Sequence, residues 1–289
     1  MELTYTRNLI NTLPKRAQES NKGTYGRVVL VCGSKGMSGA GYLAAKAAYR
    51  TGCGLAALVC PEANRVIYQT QLPEAVLRVY PDEGPSEEDF VSALSGASAI
   101  VIGCGLGVSE NALQLLKWTL DAHPAPIVLD ADGLNLLSSH PELWPQVPLG
   151  TVITPHPAEM ARLLGSSVDT VTADIAGTTV DFAAEHDIIC VLKSHRTAVS
   201  DGKHLLINNS GNSGMATGGA GDVLAGIIGS LIAQGLEPYQ AACLGVYLHG
   251  LAGDEAAAKF GEHAMIASDI CTKAAKVQVG FVDRFNGSL

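Results

Sequence analysis

Ala99-Ile100-Val101-Ile102-Gly103-Cys104-Gly105-Leu106-Gly107 decides the fold. Four consecutive apolar residues leave no polar face, so a strand here is covered on both sides, as in a parallel sheet. Glycines at alternate positions then end the strand, and a helical pattern follows at Asn111–Asp121. The same unit recurs along the chain. Strands are predicted at Arg27–Cys32, Leu55–Cys60, Ala75–Val79, Ile127–Leu129, Thr151–Ile153 and Ile188–Leu192, with helices at Gly41–Thr51, Ala158–Leu164 and Thr172–Glu185. That alternation predicts right-handed crossovers and an α/β fold: a doubly wound, mostly parallel sheet with helices on both faces. Ala198–Ser200, Asp201-Gly202 and Leu205–Ile207 predict a hairpin with a type I′ turn. A helical C-terminal segment follows at Asp222–Gln234, Pro238–Phe260 and Ile266–Val277. The acidic stretch Pro81–Asp89 is expected to be a solvated surface loop. With no linker or repeat, residues 1–289 are expected to form a single domain.

Composition narrows the function classes. Charged residues make up 16% of the 289 residues, against about 25% in ordinary domains. A net charge of −9 argues against nucleic acid, which needs a basic footprint. No apolar run reaches the length of about 18 that a membrane span needs, and Met1-Glu2-Leu3-Thr4-Tyr5 lacks a signal-peptide pattern. Seven cysteines with no Cys-x-x-Cys pair read as reduced thiols, which points to the cytoplasm.

In an open parallel sheet, ligands bind beyond the carboxyl ends of the strands. Three glycine-rich loops lie there. Gly33 to Gly41 matches a dinucleotide fingerprint loosely, as Gly39-x-Gly41-x-x-Ala44 with Glu62 downstream, and offers the Ala40 amide to a ligand. Gly103, Gly105 and Gly107 let backbone approach a ligand without side-chain obstruction. Asn212-Ser213-Gly214-Met215-Ala216-Thr217-Gly218-Gly219-Ala220-Gly221-Asp222 runs straight into an amphipathic helix. There the free N–H groups and the helix dipole make an anion site. A helix cap alone does not need four glycines in the eight residues before Asp222. Two polar clusters emerge at other strand ends: Thr154-Pro155-His156-Pro157-Ala158-Glu159 and Lys193-Ser194-His195-Arg196-Thr197. Asp130 and Asp132 end another strand, where they either bind a metal or cap the following helix.

Gly218-Gly219-Ala220-Gly221-Asp222 resembles the loop of the ribokinase-like superfamily. Four further segments make the chain similar to the NAD(P)H-hydrate dehydratase family: Asn212 to Thr217, Thr154 to Glu159, Leu129-Asp130-Ala131-Asp132-Gly133-Leu134-Asn135, and Lys22-Gly23-x-x-Gly26. The similarity runs from about Leu13 to Ala275. The resemblance implies ADP-dependent dehydration of hydrated NADH or NADPH back to the reduced dinucleotide, releasing AMP and phosphate. It implies Asp222 as catalytic base and the Gly219, Ala220 and Gly221 amides as the anion hole. Lys193, Ser194, His195, Arg196, Thr197 and Gly221 would contact the AMP part of ADP. Ala40, Gly103, Gly105, Gly107, His156 and Asp222 would contact the hydrated dinucleotide, and Glu159 would be associated with Mg2+. Relatives form tetramers, so a homo-oligomer is expected. Cys104 departs from the family, which commonly has proline there. The chain begins too close to its first motif to hold the N-terminal epimerase domain of many relatives, so that activity is expected to be absent. Two rival readings stay open: a small-molecule kinase of the same fold, such as a thiazole-alcohol or pyridoxal-type kinase, and a dinucleotide-binding module without turnover.

Overall fold

The computed structural model describes residues 2–3, 9 and 12–285; Met1, Thr4 and Tyr5 of the N-terminal stretch lie outside the described residues. Its strands are β1 (Glu2–Leu3), β2 (Arg27–Val31), β3 (Leu55–Pro61), β4 (Val76–Tyr80), β5 (Ala99–Ile102), β6 (Ile127–Leu129), β7 (Val152–Ile153), β8 (Ile189–Leu192), β9 (Ala198–Ser200) and β10 (His204–Ile207). They form one sheet in the order β1-β10-β9-β8-β7-β6-β5-β2-β3-β4. All pairings are parallel except those of β9 with β8 and β10.

The apolar runs behave as their composition requires. Along β2, Val28 and Leu30 enter one core while Val29 and Val31 enter the other, and Ala56/Leu58 against Ala57/Val59 in β3 and Ala99/Val101 against Ile100/Ile102 in β5 repeat the alternation. The first core is covered by helices Ser38–Thr51, Ala220–Ala233 and Pro238–Phe260. The second is covered by helices that include Glu110–Ala122, Asp132–Ser139 and Ile175–His186. Helices Ser38–Thr51 and Ala220–Ala233 touch backbone to backbone at Gly226, where a Cβ would sit 2.1 Å from the Ala44 carbonyl oxygen. Gly226→Ala is therefore expected to force the two helices apart and cost about 1–3 kcal/mol, read as a lower melting temperature.

The strand order reverses between β2 and β5. Chain that moves outward from β2 through β3 to β4 returns to β2's other side at β5. A crevice opens at such a switch point, and the Gly33–Gly41 and Gly103–Gly107 loops both leave the sheet there.

Four local expectations are corrected. The expected acidic surface loop holds for residues 81–86 but ends there in a helix at Glu87–Leu94, because Ser86 accepts a hydrogen bond from the Asp89 N–H and the first turn carries Glu87, Glu88 and Asp89, a favourable arrangement of acidic groups at the positive end of the dipole. The single helix expected at Thr172–Glu185 is two, Val168–Ala173 and Ile175–His186. Asp174 leaves helical geometry at φ −144° and caps the second by accepting from the Gly177 N–H. The hairpin is present, but Gly202 alone of its two central residues has positive φ, so the turn is not type I′, which needs both. Instead the Asp201 carboxylate accepts from the Lys203 and His204 N–H groups. Finally, Gly41 serves packing: a Cβ there would lie 2.4 Å from the hydroxyl of Tyr68 on helix Arg65–Gln71, and Glu62 pairs with Arg65 at 2.6 Å, so the loose dinucleotide fingerprint describes a helix–helix contact.

Candidate active site

A cleft of about 900 Å³ opens at the carboxyl ends of the central strands. Asp130, His156, Glu159, Lys193, Ser194, His195 and Thr197 line it together with Gly219 to Asp222. Residues more than sixty positions apart are brought together because β6, β7 and β8 lie side by side and end at the same edge.

At the base of the cleft Asp130, fully buried, accepts hydrogen bonds from Lys193 Nζ at 2.8 Å and Thr154 Oγ1 at 2.6 Å. Burial opposes the ionised Asp130, yet the Lys193 charge and these hydrogen bonds win and hold its pKa below the usual carboxylate range. Burial likewise opposes the Lys193 ammonium, and Asp130 with Glu159 holds its pKa above the ordinary lysine value. The two are a charged pair.

His156 and Glu159 are held by helix capping. His156 Nδ1 accepts from the Ala158 and Glu159 N–H groups, while Glu159 Oε2 accepts from the His156 N–H at 2.8 Å. Glu159 is buried, and burial pushes its pKa up. Burial also lowers the pKa of His156, with Lys193 adding to it, so His156 faces the cleft as a neutral ring.

Helix Ala220–Ala233 starts at Gly219, which takes the left-handed conformation at φ +90° and supplies no side-chain cap. Ala220 N–H reaches the Thr217 carbonyl at 3.3 Å; among the described residues the Gly219 and Gly221 N–H groups have no protein acceptor. Asp222 lies in the first helical turn. Burial, reinforced by the neighbouring charge of Asp130, pushes its pKa up to about 6. Ahead of the helix, the loop is pinned by Asp254, which accepts from Gly211 N–H and Asn212 Nδ2 at 3.0 Å.

Ala40, Gly103, Gly105 and Gly107 do not line this cleft. They form a shelf next to the cleft. The β2 and β5 loops are tied there by Gly33 N–H to Cys104 O and Ser34 N–H to Gly105 O, and a Cβ on Gly105 would meet the Ala40 Cβ at 2.7 Å. Gly107 N–H donates to Asp132 Oδ2 at 2.8 Å, Ala40 N–H to Met37 O at 3.2 Å and Gly103 N–H to Val31 O at 3.2 Å, so three of the four shelf amides are already engaged. Cys104 joins shelf to cleft: its Sγ and one carboxylate oxygen each of Asp130 and Asp222 lie within 4.8 Å of one another. Its thiol is held far above its ordinary pKa by its hydrogen bond with Cys32 and by burial. Arg196 is exposed and outside the lining. Ala131 holds φ 50° and ψ −115°, a strained conformation for a residue with a side chain, at the point where Asp130 turns toward the cleft.

Met215 lines the cleft with the rest of its loop, and Asn208, Ser210, Leu224, Val246 and His249, which the sequence did not mark as site residues, line it too. Only His249 carried a local signal, as one imidazole among the alanine, glycine and leucine of its helix.

The family model for NAD(P)H-hydrate dehydratase matches residues 28–276. The ADP-dependent (S)-NAD(P)H-hydrate dehydratase of Neisseria meningitidis is 43% identical over 243 residues, covering 83% of this chain and 80% of that protein. The chain spans about half the length of the bifunctional NAD(P)H-hydrate repair enzymes it also matches. Among solved structures, the ADP/ATP-dependent NAD(P)H-hydrate dehydratase of Bacillus subtilis, co-crystallised with ATP and Mg2+, superposes with a TM-score of 0.84 at 29% identity, covering 97% of this chain and 98% of that one. A ribokinase-like superfamily protein of Enterococcus faecalis gives 0.85 at 27%, covering 97% and 96%. The chain has the ribokinase-like fold and belongs to the NAD(P)H-hydrate dehydratase family.

Proposed function

We propose that the chain uses ADP to dehydrate hydrated NADH and NADPH, and that the cleft beside Asp222 is where the phosphoryl group moves. The observation that carries this is a half-buried carboxylate with pKa about 6, in the same first helical turn as the free Gly219 and Gly221 amides. Hydroxide is a poor leaving group, so the ring hydroxyl is first phosphorylated. Asp222 takes the hydroxyl proton as its oxygen attacks the terminal phosphorus of ADP, and the bond to the AMP oxygen breaks. The Gly219, Ala220 and Gly221 amides hold the transferring oxygens. Phosphate then departs with the assistance of the ring nitrogen lone pair, and the neighbouring ring carbon loses a proton to restore the double bond. Lys193, Ser194, His195, Arg196, Thr197 and Gly221 hold the AMP part. Ala40, Gly103, Gly105 and Gly107 on the shelf, with His156 and Asp222 from the cleft, hold the dinucleotide.

Mg2+ prefers oxygen ligands and in phosphoryl sites uses one or two carboxylates plus substrate phosphates. The donors here fit that mode, not an all-protein cage: Cys104 is a thiol, Asp130 is taken by Lys193, and Glu159 is engaged with His156. In our reading Glu159 would face a nucleotide-borne Mg2+, which would supply charge neutralisation of the phosphates. The seven free cysteines are all buried, which supports placement in the cytoplasm, and we expect a homo-oligomer, checked by light scattering.

A base must be ionised to work. Since Asp222 gains its proton near pH 6, kcat/KM is expected to fall about tenfold per unit below that value, with the drop absent from nucleotide binding. A pH–rate profile set beside ADP titrations checks it. Incubation of the chain with hydrated NADH and either nucleotide tests the donor: ADP is expected to give AMP, and a strict requirement for ATP would contradict the reading.

A further inference from the structure

His249 projects from helix Pro238–Phe260 into the wall of the cleft, beneath the start of helix Ala220–Ala233. Its Nε2 is sealed from solvent and has no hydrogen-bond partner of normal geometry. The group its ring faces is the Ala220 backbone carbonyl. A buried polar atom without a partner requires an explanation, and packing alone would be served better by leucine, the residue on either side of the His249-Gly250 pair.

The peptide group supplies the explanation. The Ala220 carbonyl and the Gly221 N–H are the two ends of one planar trans peptide and point in opposite directions. The carbonyl oxygen carries the first-turn helix bond within Ala220–Ala233 on one lone pair, leaving the other for a second donor, and Gly221 brings no side chain to resist the final tilt of the plane. A donor that grips the Ala220 oxygen from beneath therefore aims the Gly221 N–H up into the cleft, and polarises it into a stronger donor. We propose that His249 is a positioning residue for the anion hole, its ring N–H closing onto the Ala220 carbonyl when a phosphoryl group occupies the Gly219–Gly221 amides. Burial, aided by the charge of Lys193, pushes the ring down to a pKa of about 4. His249 is thus a neutral donor at all working pH values.

The proposal rests on the phosphoryl-transfer reading, and its test is independent of hydrated dinucleotide. AMP is titrated into the full chain with and without aluminium fluoride, a stand-in for the transferring phosphoryl group. The wild type is expected to bind AMP more tightly with the fluoride. His249→Phe, which fills the space without a donor, is expected to lose about tenfold or more of that gain, while His249→Asn, which keeps an N–H, stays within about threefold of wild type. Turnover should follow the same order, with kcat changing more than the KM for ADP and the pH profile keeping its shape. Equal fluoride enhancement in His249→Phe and wild type overturns the proposal. So does no enhancement in wild type, or its loss in His249→Asn; the Asn variant also decides the matter if the Phe variant does not fold. Enhancement that depends on His249 in a chain that does not turn over hydrated NADH would support this proposal and count against the dehydratase reading.

Discussion

Asp222→Asn is expected to turn over about 10²–10⁴ times more slowly than wild type, to bind ADP at least as well, and to melt at a higher temperature. The first effect follows from chemistry: the amide keeps the size of the carboxylate and its place in the first turn, but cannot accept the hydroxyl proton. The second follows from charge, because a negative group beside the phosphates is removed. The third follows from linkage. Burial raises the folded pKa of Asp222 to about 6, above the carboxylate value of about 3.9 in an unfolded chain. The folded state therefore binds this proton more tightly, and the stability it confers is lost as pH rises from the lower value through the upper. At neutral pH the ionised side chain is a cost that asparagine does not carry. Thermal melts at pH 4 and pH 7 are expected to separate the two proteins more at the higher pH. A variant that melts normally yet turns over within about tenfold of wild type would remove Asp222 as the base; one that unfolds would make it a structural cap.

Lys193→Met is expected to raise the KM for ADP about tenfold to hundredfold, the worth of a charge-assisted contact of 1.5–3 kcal/mol, and to lower kcat less. It also has a structural effect. The ammonium neutralises Asp130 at 2.8 Å in a site where the carboxylate is fully buried. Removing one partner of such a pair costs about 3–5 kcal/mol, because the other is left charged and dry. The double variant Lys193→Met/Asp130→Asn separates the roles: it is expected to recover most of the lost stability and none of the ADP affinity. Restored affinity in the double variant would mean that Lys193 serves only to balance Asp130. An unchanged KM with collapsed turnover in the single variant would place Lys193 in the chemistry.

What was legible in the sequence is what local pattern governs. Val28–Val31 and Ala99–Ile102 announce doubly covered strands because each side of the strand meets a separate core. The glycines at 103, 105 and 107 stand where positive φ is required. Gly219 to Asp222 announce a helix start with open amides. The pairing of Asp130 with Lys193 was not legible, since it spans 63 positions and depends on which strands become neighbours. His249 reaches the cleft wall beside Gly219–Gly221 only because its helix packs on the one that begins there. The Asp174 break was present in the chain as an Asp-x-x-Gly cap, but the apolar periodicity on both sides hid it.

The central claim is that phosphoryl transfer from ADP drives dehydration at one site. Its most direct test is a single incubation of the chain with ADP and hydrated NADH, in which AMP, inorganic phosphate and restored reduced-nicotinamide absorbance are followed together. The account predicts that the three rise in equimolar amounts and that all three stop in Asp222→Asn. A phosphorylated product that accumulates without restoring NADH, or NADH binding with no AMP formed, would contradict it.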